Sequence, residues 1–272
     1  MTDGAGTSPE FLCPDWPAPP VVAAAVSTRR GGVSRGAYAG FNLAGHVDDD
    51  AHAVAANRRR LIEALALPRP PVWLRQCHGT RVVRLGGDEP EEPEADAAWT
   101  DRPGVVCAVL TADCLPVLLC DRGGTRVAAV HAGWRGLAAG VLEAAVAALG
   151  GADLLAWLGP AIGPEAFVIG DEVRARLRAG PAAPDGAFRP AGPGRWYADL
   201  YALARARLTA AGVTAVYGGG ACTVGDAGRF YSYRRDGATG RMASLIWIRA
   251  SGRRPGATRG GKQVAGPAAS GP

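Results

Sequence analysis

Apolar residues along this chain fall in short runs separated by glycine, proline and charge. The densest set is VVCAVLTADCLPVLLCDRGGTRVAAVHAGWRG, residues 105–136. It contains runs at 105–110, 115–120 and 126–130, the pattern of buried strands. Similar runs predict strands at 21–27, 72–75, 82–85, 154–158, 167–169, 213–217 and 244–249. Helices are expected over 51–67, 137–149, from Asp171 onward, and over 197–211. The first is opened by Asp48, Asp49 and Asp50 and ended by Pro68 and Pro70; the last has Asp199 near its start and Gly212 as its stop. Residues 88–94 and 179–195 read as loops. This alternation predicts one domain over 21–250, of the α/β-type (α+β): a mixed β-sheet core with flanking helices. Residues 1–20 read as a flexible arm and 251–272 as a disordered tail.

Composition changes this picture little. No apolar stretch approaches the roughly 18 residues that span a bilayer, and the first residues lack the basic and apolar regions of a secretory signal. A soluble, cytoplasmic protein is therefore expected, with no membrane partner. In a reducing compartment the six cysteines should be thiols or metal ligands. A net charge of +5 suggests nucleic acid, but its distribution argues otherwise. Lys262 is the only lysine, several arginines fall in the tail, and no aromatic-interleaved basic stripe is visible. No nucleic-acid partner is expected.

The chemistry is concentrated at predicted strand ends. Cys114 follows the first run, His131 follows the third, and His78 follows the run at 72–75. Core strands do not need such residues at their exits, whereas sites built on rigid scaffolds do. Two imidazoles and a thiolate would leave the fourth position of a zinc tetrahedron open for water or substrate. A Cys114–His131 dyad and unrelated structural roles remain alternatives on spacing alone.

The chain resembles the YfiH-like laccase-domain family, also called peptidoglycan editing factors and multifunctional purine nucleoside phosphorylases. The resemblance spans residues 25–249 and rests on TRRGGVS with FNLAGHV, QCHG, VLTADCLPVLL, VHAGWRG, LGPAIGP and YSYRRDGATGR, in that order. It implies that His78, Cys114 and His131 hold one zinc ion. It also implies phosphorolysis of adenosine, inosine and S-methyl-5′-thioadenosine, with deamination of adenosine, so purine nucleosides and phosphate are the expected partners. Cys77 departs from the pattern, which has Val there, and is expected to point into the core.

Asn42, His46 and Arg135 join the metal ligands as catalytic candidates, with Asn42 and His46 supplying hydrogen bonds or a general acid. Arg29, Arg234, Arg235 and Arg241 are candidates for phosphate, through the bidentate fit of guanidinium to its oxygens. Trp134 would stack on a base or pack in the core, and Asp113 would orient an imidazole or cap a turn. The family's older name implies copper oxidation of phenols. The chain has four histidines in all, too few for a mononuclear copper plus a three-copper cluster, although a single copper fits the His-Cys-His donors. A further alternative is an amidase that releases L-serine from a UDP-muramyl precursor.

Overall fold

The computed structural model describes residues 8–86, 92–151, 153–180 and 182–250. The chain runs β1 (Phe11–Leu12), β2 (Val22–Ser27), α1 (Ala51–Ala64), β3 (Val82–Arg84), β4 (Ala97–Thr100), β5 (Val106–Thr111), β6 (Leu115–Asp121) and β7 (Val127–Ala132). It continues through α2 (Trp134–Ala139), α3 (Val141–Ala148), β8 (Leu154–Leu158), β9 (Val168–Gly170), α4 (Asp171–Arg178), β10 (Phe188–Pro190) and β11 (Arg195–Ala198). It closes with α5 (Leu200–Ala210), β12 (Ala215–Gly218), α6 (Tyr233–Asp236) and β13 (Met242–Ile248).

Two sheets face each other. One has the order β1-β2-β13-β5 and the other β12-β8-β6-β7-β4-β3; a small sheet, β10-β11-β9, stands apart. The six-stranded sheet is mixed, because β12–β8 and β3–β4 are parallel while its other pairs are antiparallel. Successive side chains alternate between faces, so each central strand feeds two cores. Leu118 and Cys120 of β6, Val127 and Ala129 of β7 and Cys107 and Val109 of β5 meet between the sheets. Val117, Leu119, Ala128 and Val130 pack instead against α3 and α5. Val106, Ala108 and Leu110 pack beside Leu61 of α1. The result is a helix–sheet–sheet–helix stack. Both faces of β5, β6 and β7 are buried, which explains their continuous apolar runs. This is the single-domain α+β architecture expected from the pattern.

Several boundaries differ from the sequence expectation. Residues 8–20 are not a loose arm throughout, since β1 pairs with β2 at Phe11↔Ser27. Residues 1–7 and the expected tail 251–272 lie outside the described residues, as do 87–91, which include 88–91 of the acidic loop. The expected strand at 72–75 is reduced to single bridges, Val72↔Cys107 to β5 and Arg75↔Glu94 to the segment ahead of β4. β4 was not expected, because its AAWT core is short and lies between the acidic loop and Asp101. The expected helix 137–149 is two helices broken at Gly140, whose φ of +101° is readily adopted only without a side chain. The expected helix 197–211 begins later. Residues 195–198 pair in the small sheet, and Asp199 caps α5 by accepting from the Ala202 N–H at 3.0 Å.

Candidate metal centre

Period-two alternation decides what lies at the end of the inter-sheet layer. Thr111 continues the inward face of Cys107 and Val109, and His131 continues that of Val127 and Ala129. His131 is thus the penultimate residue of β7 rather than a residue past its exit. Cys114 follows in the turn between β5 and β6, where Asp113 has a φ of +87°. His78 also sits at positive φ, +62°, in the QCHG loop. That loop is clamped to β5 by Gln76, whose amide donates to Leu110 O at 2.9 Å and accepts from Leu110 N at 2.7 Å.

The three side chains converge. One ligand atom from each of His78, Cys114 and His131 lies within 4.8 Å of the others. His78 Nε2 and Cys114 Sγ are 3.7 Å apart. Tetrahedral zinc with ordinary Zn–N and Zn–S bonds requires roughly 3.6 Å. Gly133 supplies the clearance. A Cβ there would lie 2.8 Å from His78 Cδ2 and 2.9 Å from Cys114 Sγ. The donor set, its spacing and this cradle fit a transition metal, with three protein ligands and an open side.

Asp96, at the entrance to β4, holds the centre together. It is fully buried. Its Oδ1 accepts from His78 N at 2.9 Å and lies 2.8 Å from His131 Nδ1. Its Oδ2 accepts from Gly79 N at 2.6 Å, Cys77 N at 3.3 Å and Cys77 Sγ at 3.2 Å. One carboxylate therefore orients the ring of one ligand and the backbone of another. Burial acts to raise its pKa, but the hydrogen bonds from His131, Gly79 and Cys77 hold it at about 2. Asp96 is the functional residue that sequence reasoning missed. Its only signal was an acid flanked by alanines beside a run of surface acids. Asp113, by contrast, orients no imidazole; its Oδ1 accepts from Thr223 Oγ1 at 2.5 Å and its Oδ2 from Arg234 N at 2.6 Å.

Protonation couples the other two partners. Burial pushes the Cys114 thiol up, yet the charge of His131 and hydrogen bonding to both imidazoles outweigh it and hold it at about 6. Burial pushes His131 down, but Cys114 and Asp96 raise it to about 9. Between those values the proton resides on the imidazole. A metal ion bound at neutral pH would expel it.

The centre opens into a cavity of about 510 Å³ lined in part by His46, Thr111, Trp134, Arg135, Phe167, Tyr233, Arg234 and Arg241. His46, Arg135, Arg234 and Arg241 are thus brought together with His78, Cys114 and His131. His46 is held below the usual histidine range by partial desolvation and then by Arg241. That shift favours the neutral imidazole, which can accept a hydrogen bond. Asn42 is fully buried behind the wall, donating to Asp49 Oδ2 at 2.8 Å and accepting from Arg241 N at 2.9 Å. It braces the cavity without facing it. Arg29 lies over the Tyr231 ring at 4.7 Å and donates to Ala227 O at 3.2 Å. Arg235 donates to Thr223 O at 2.7 Å and pairs with Asp236 at 2.6 Å. Neither Arg29 nor Arg235 lines the cavity. Cys77 is exposed instead of pointing into the core.

A family model described as multi-copper polyphenol oxidoreductase laccase matches residues 23–249. The chain belongs to this family. Laccase-domain relatives include a purine nucleoside phosphorylase of Pseudomonas aeruginosa, 59% identical over 88% of this chain and 98% of its own length. The purine nucleoside phosphorylase YfiH of Escherichia coli is 51% identical over 88% of this chain and 99% of its own. A crystal structure from Neisseria meningitidis superposes with a TM-score of 0.80 at 49% identity, covering 88% of this chain and 99% of that one. Of the four histidines, only His78 and His131 belong to the His-Cys-His group. The laccase-domain name is therefore no guide to the number of metal ions here.

Two outcomes follow from this geometry. Gly133→Ala should fold, because its φ of −64° suits alanine. Crowding of the two ligands should weaken metal binding roughly tenfold to a hundredfold, measured by chelator competition. Asp96→Asn should lower metal affinity by about 10–100-fold. The native carboxylate has a pKa of about 2 against an ordinary 3.8. Its ionisation stabilises the fold above about pH 4 by about 2 kcal/mol, and this is lost as pH falls toward 2. Acid titrations of stability should show that slope in the wild type and not in Asp96→Asn.

Proposed function

We propose that this protein is a zinc-dependent purine nucleoside phosphorylase acting on adenosine, inosine and S-methyl-5′-thioadenosine, with adenosine deaminase activity. What carries the reading is an open His-Cys-His centre in an arginine-lined cavity, in a chain 59% identical to a protein named purine nucleoside phosphorylase. Zinc bound by His78, Cys114 and His131 would supply Lewis acidity to a substrate atom or a water.

The chain's own residues do the rest. Arg241 is half-buried, its Nη1 donating to Thr239 O at 2.6 Å and Gly240 O at 3.1 Å. Those bonds fix its guanidinium in the wall beside Arg234, whose Nη1 donates to Val168 O at 3.0 Å. Two anchored guanidinium groups suit inorganic phosphate better than a nucleoside, which carries no charge. Arg135 adds a third cation near the centre. In phosphorolysis a phosphate oxygen attacks the sugar C1′. The bond to the purine breaks, its electron pair leaves with the base, and ribose 1-phosphate remains. Neutral His46 accepts a hydrogen bond from phosphate or from a ribose hydroxyl. The Thr111 hydroxyl lies buried in the wall with no hydrogen-bond partner among the described residues.

Cys114 as a thiol held at about 6 beside His131 also suits nucleophilic attack on an amide, so the same centre supports the amidase reading of UDP-muramyl precursors. Release of serine from UDP-muramyl-serine without phosphate would favour it. A cytoplasmic location belongs to the proposal, since both substrate classes and reduced thiols belong there.

Adenosine with phosphate should give adenine and ribose 1-phosphate, and Cys114→Ala should lose at least about a hundredfold in kcat/KM, with metal content measured alongside. Wild-type turnover by Cys114→Ala would remove the metal-centred version. Arg241→Gln should raise the phosphate KM roughly tenfold and leave the metal bound. Phenol oxidation, where it occurs, should track copper content; robust oxidation by a copper-free, zinc-loaded sample would show that copper is not responsible.

A further inference from the structure

The aromatic side chains Trp134, Phe167 and Tyr233 line the cavity. Two already carry a cation over one face: Arg135 lies 4.6 Å from the centre of the Trp134 ring, and Arg234 lies 5.3 Å from that of Phe167. Among the described residues, no cation or ring covers Tyr233. It is 62% exposed, and the only other exposed large apolar side chain among them is Val21 at 37%. An aromatic ring exposed at a cavity mouth is costly in water and useful to a flat ligand.

The ring stands on a fixed base. Tyr231 and Ser232 beside it are fully buried. Ser232 caps α6 by accepting from Arg235 N at 3.2 Å, and Tyr231 donates its hydroxyl to Tyr38 O at 3.0 Å. The next residue, Arg234, donates its backbone N–H to Asp113 Oδ2 at 2.6 Å, and Asp113 immediately precedes the ligand Cys114. The ring's backbone is thus tied to Cys114 through two peptide bonds, one hydrogen bond and the Asp113 side chain. A mobile surface tyrosine would have no such tether.

We propose that Tyr233 is the platform on which the purine base stacks, leaving the sugar end directed toward His78, Cys114 and His131. The inference rests on the phosphorylase reading and deepens it. A π-face reads flatness rather than the pattern of donors and acceptors on the base edge. Tyr233 therefore binds adenine and hypoxanthine alike, so the platform does not choose between adenosine and inosine.

The test uses zinc-loaded wild type, Tyr233→Phe and Tyr233→Ala. Calorimetry with adenine and with hypoxanthine is paired with phosphorolysis kinetics. Loss of stacking on one base costs roughly five- to 150-fold in affinity. Tyr233→Ala should lose that factor for both bases and raise the nucleoside KM to match. Its kcat should stay within about threefold, and its phosphate KM and zinc content should be unchanged. Tyr233→Phe should restore binding. Unchanged base affinity and nucleoside KM in a folded, zinc-loaded Tyr233→Ala would overturn the platform and leave the phosphorylase reading intact. Base binding that depends on Tyr233, with no ribose 1-phosphate formed by the wild type, would support the platform and overturn phosphorolysis. A wild type that binds neither base would overturn the platform.

Discussion

The Asp96 carboxylate is the interaction on which the site depends. A charge fully removed from water is tolerated only when surrounded by donors, and here those donors belong to the metal-ligating segments themselves. The backbone N–H groups of Cys77, His78 and Gly79 and the ring of His131 all converge on it. Without that charge the QCHG loop, which has no strand ladder of its own, would keep its clamp through Gln76 but lose what sets His78 against His131. The His131 backbone reinforces the arrangement by donating to Asp96 O at 2.7 Å. Position, tautomer and ligand basicity are thus controlled from one residue.

The remaining wall is organised in a similar way around Asp113 and Asn42. Asp113 joins the Cys114 turn to α6 and to Thr223, while Asn42 joins the His46 segment to Arg241. Each is a small buried polar side chain that receives backbone N–H groups from distant parts of the chain. They give cavity-facing side chains on loops the positional accuracy of side chains on strands.

This division accounts for which parts of the molecule are legible in the sequence. β5, β6 and β7 stand out because both of their faces are buried, so all positions but those near their ends are apolar and turn residues bound each run. Cys114 and His131 are conspicuous because they interrupt such runs. Asp96 is not, since an acid next to a surface acidic loop carries no mark of burial. The arginines of YSYRRDGATGR look alike in sequence. Whether a guanidinium faces the cavity, as for Arg234 and Arg241, or caps carbonyls elsewhere, as for Arg235, is decided by tertiary hydrogen bonds. The last two residues of β11 read as the start of a helix, since the strand is four residues long and its pairing partners, β9 and β10, are only three.

Because Thr111 and His131 extend the rows that fill the layer between the two sheets, the cavity is the unsealed end of the hydrophobic core. The spacing of the three metal ligands is then also a measure of how far apart the sheets stand. His131 rides on the six-stranded sheet, as does Cys114, whose next residue opens β6, while the loop that carries His78 is clamped to β5 of the four-stranded one through Gln76. Close-packed interiors transmit small changes of volume across many residues. A methylene added or removed at Val109 or Ala129, far from any substrate, therefore acts on the metal geometry as a change in hinge opening acts on a caliper. An ion held by these three side chains would sense core packing through their spacing.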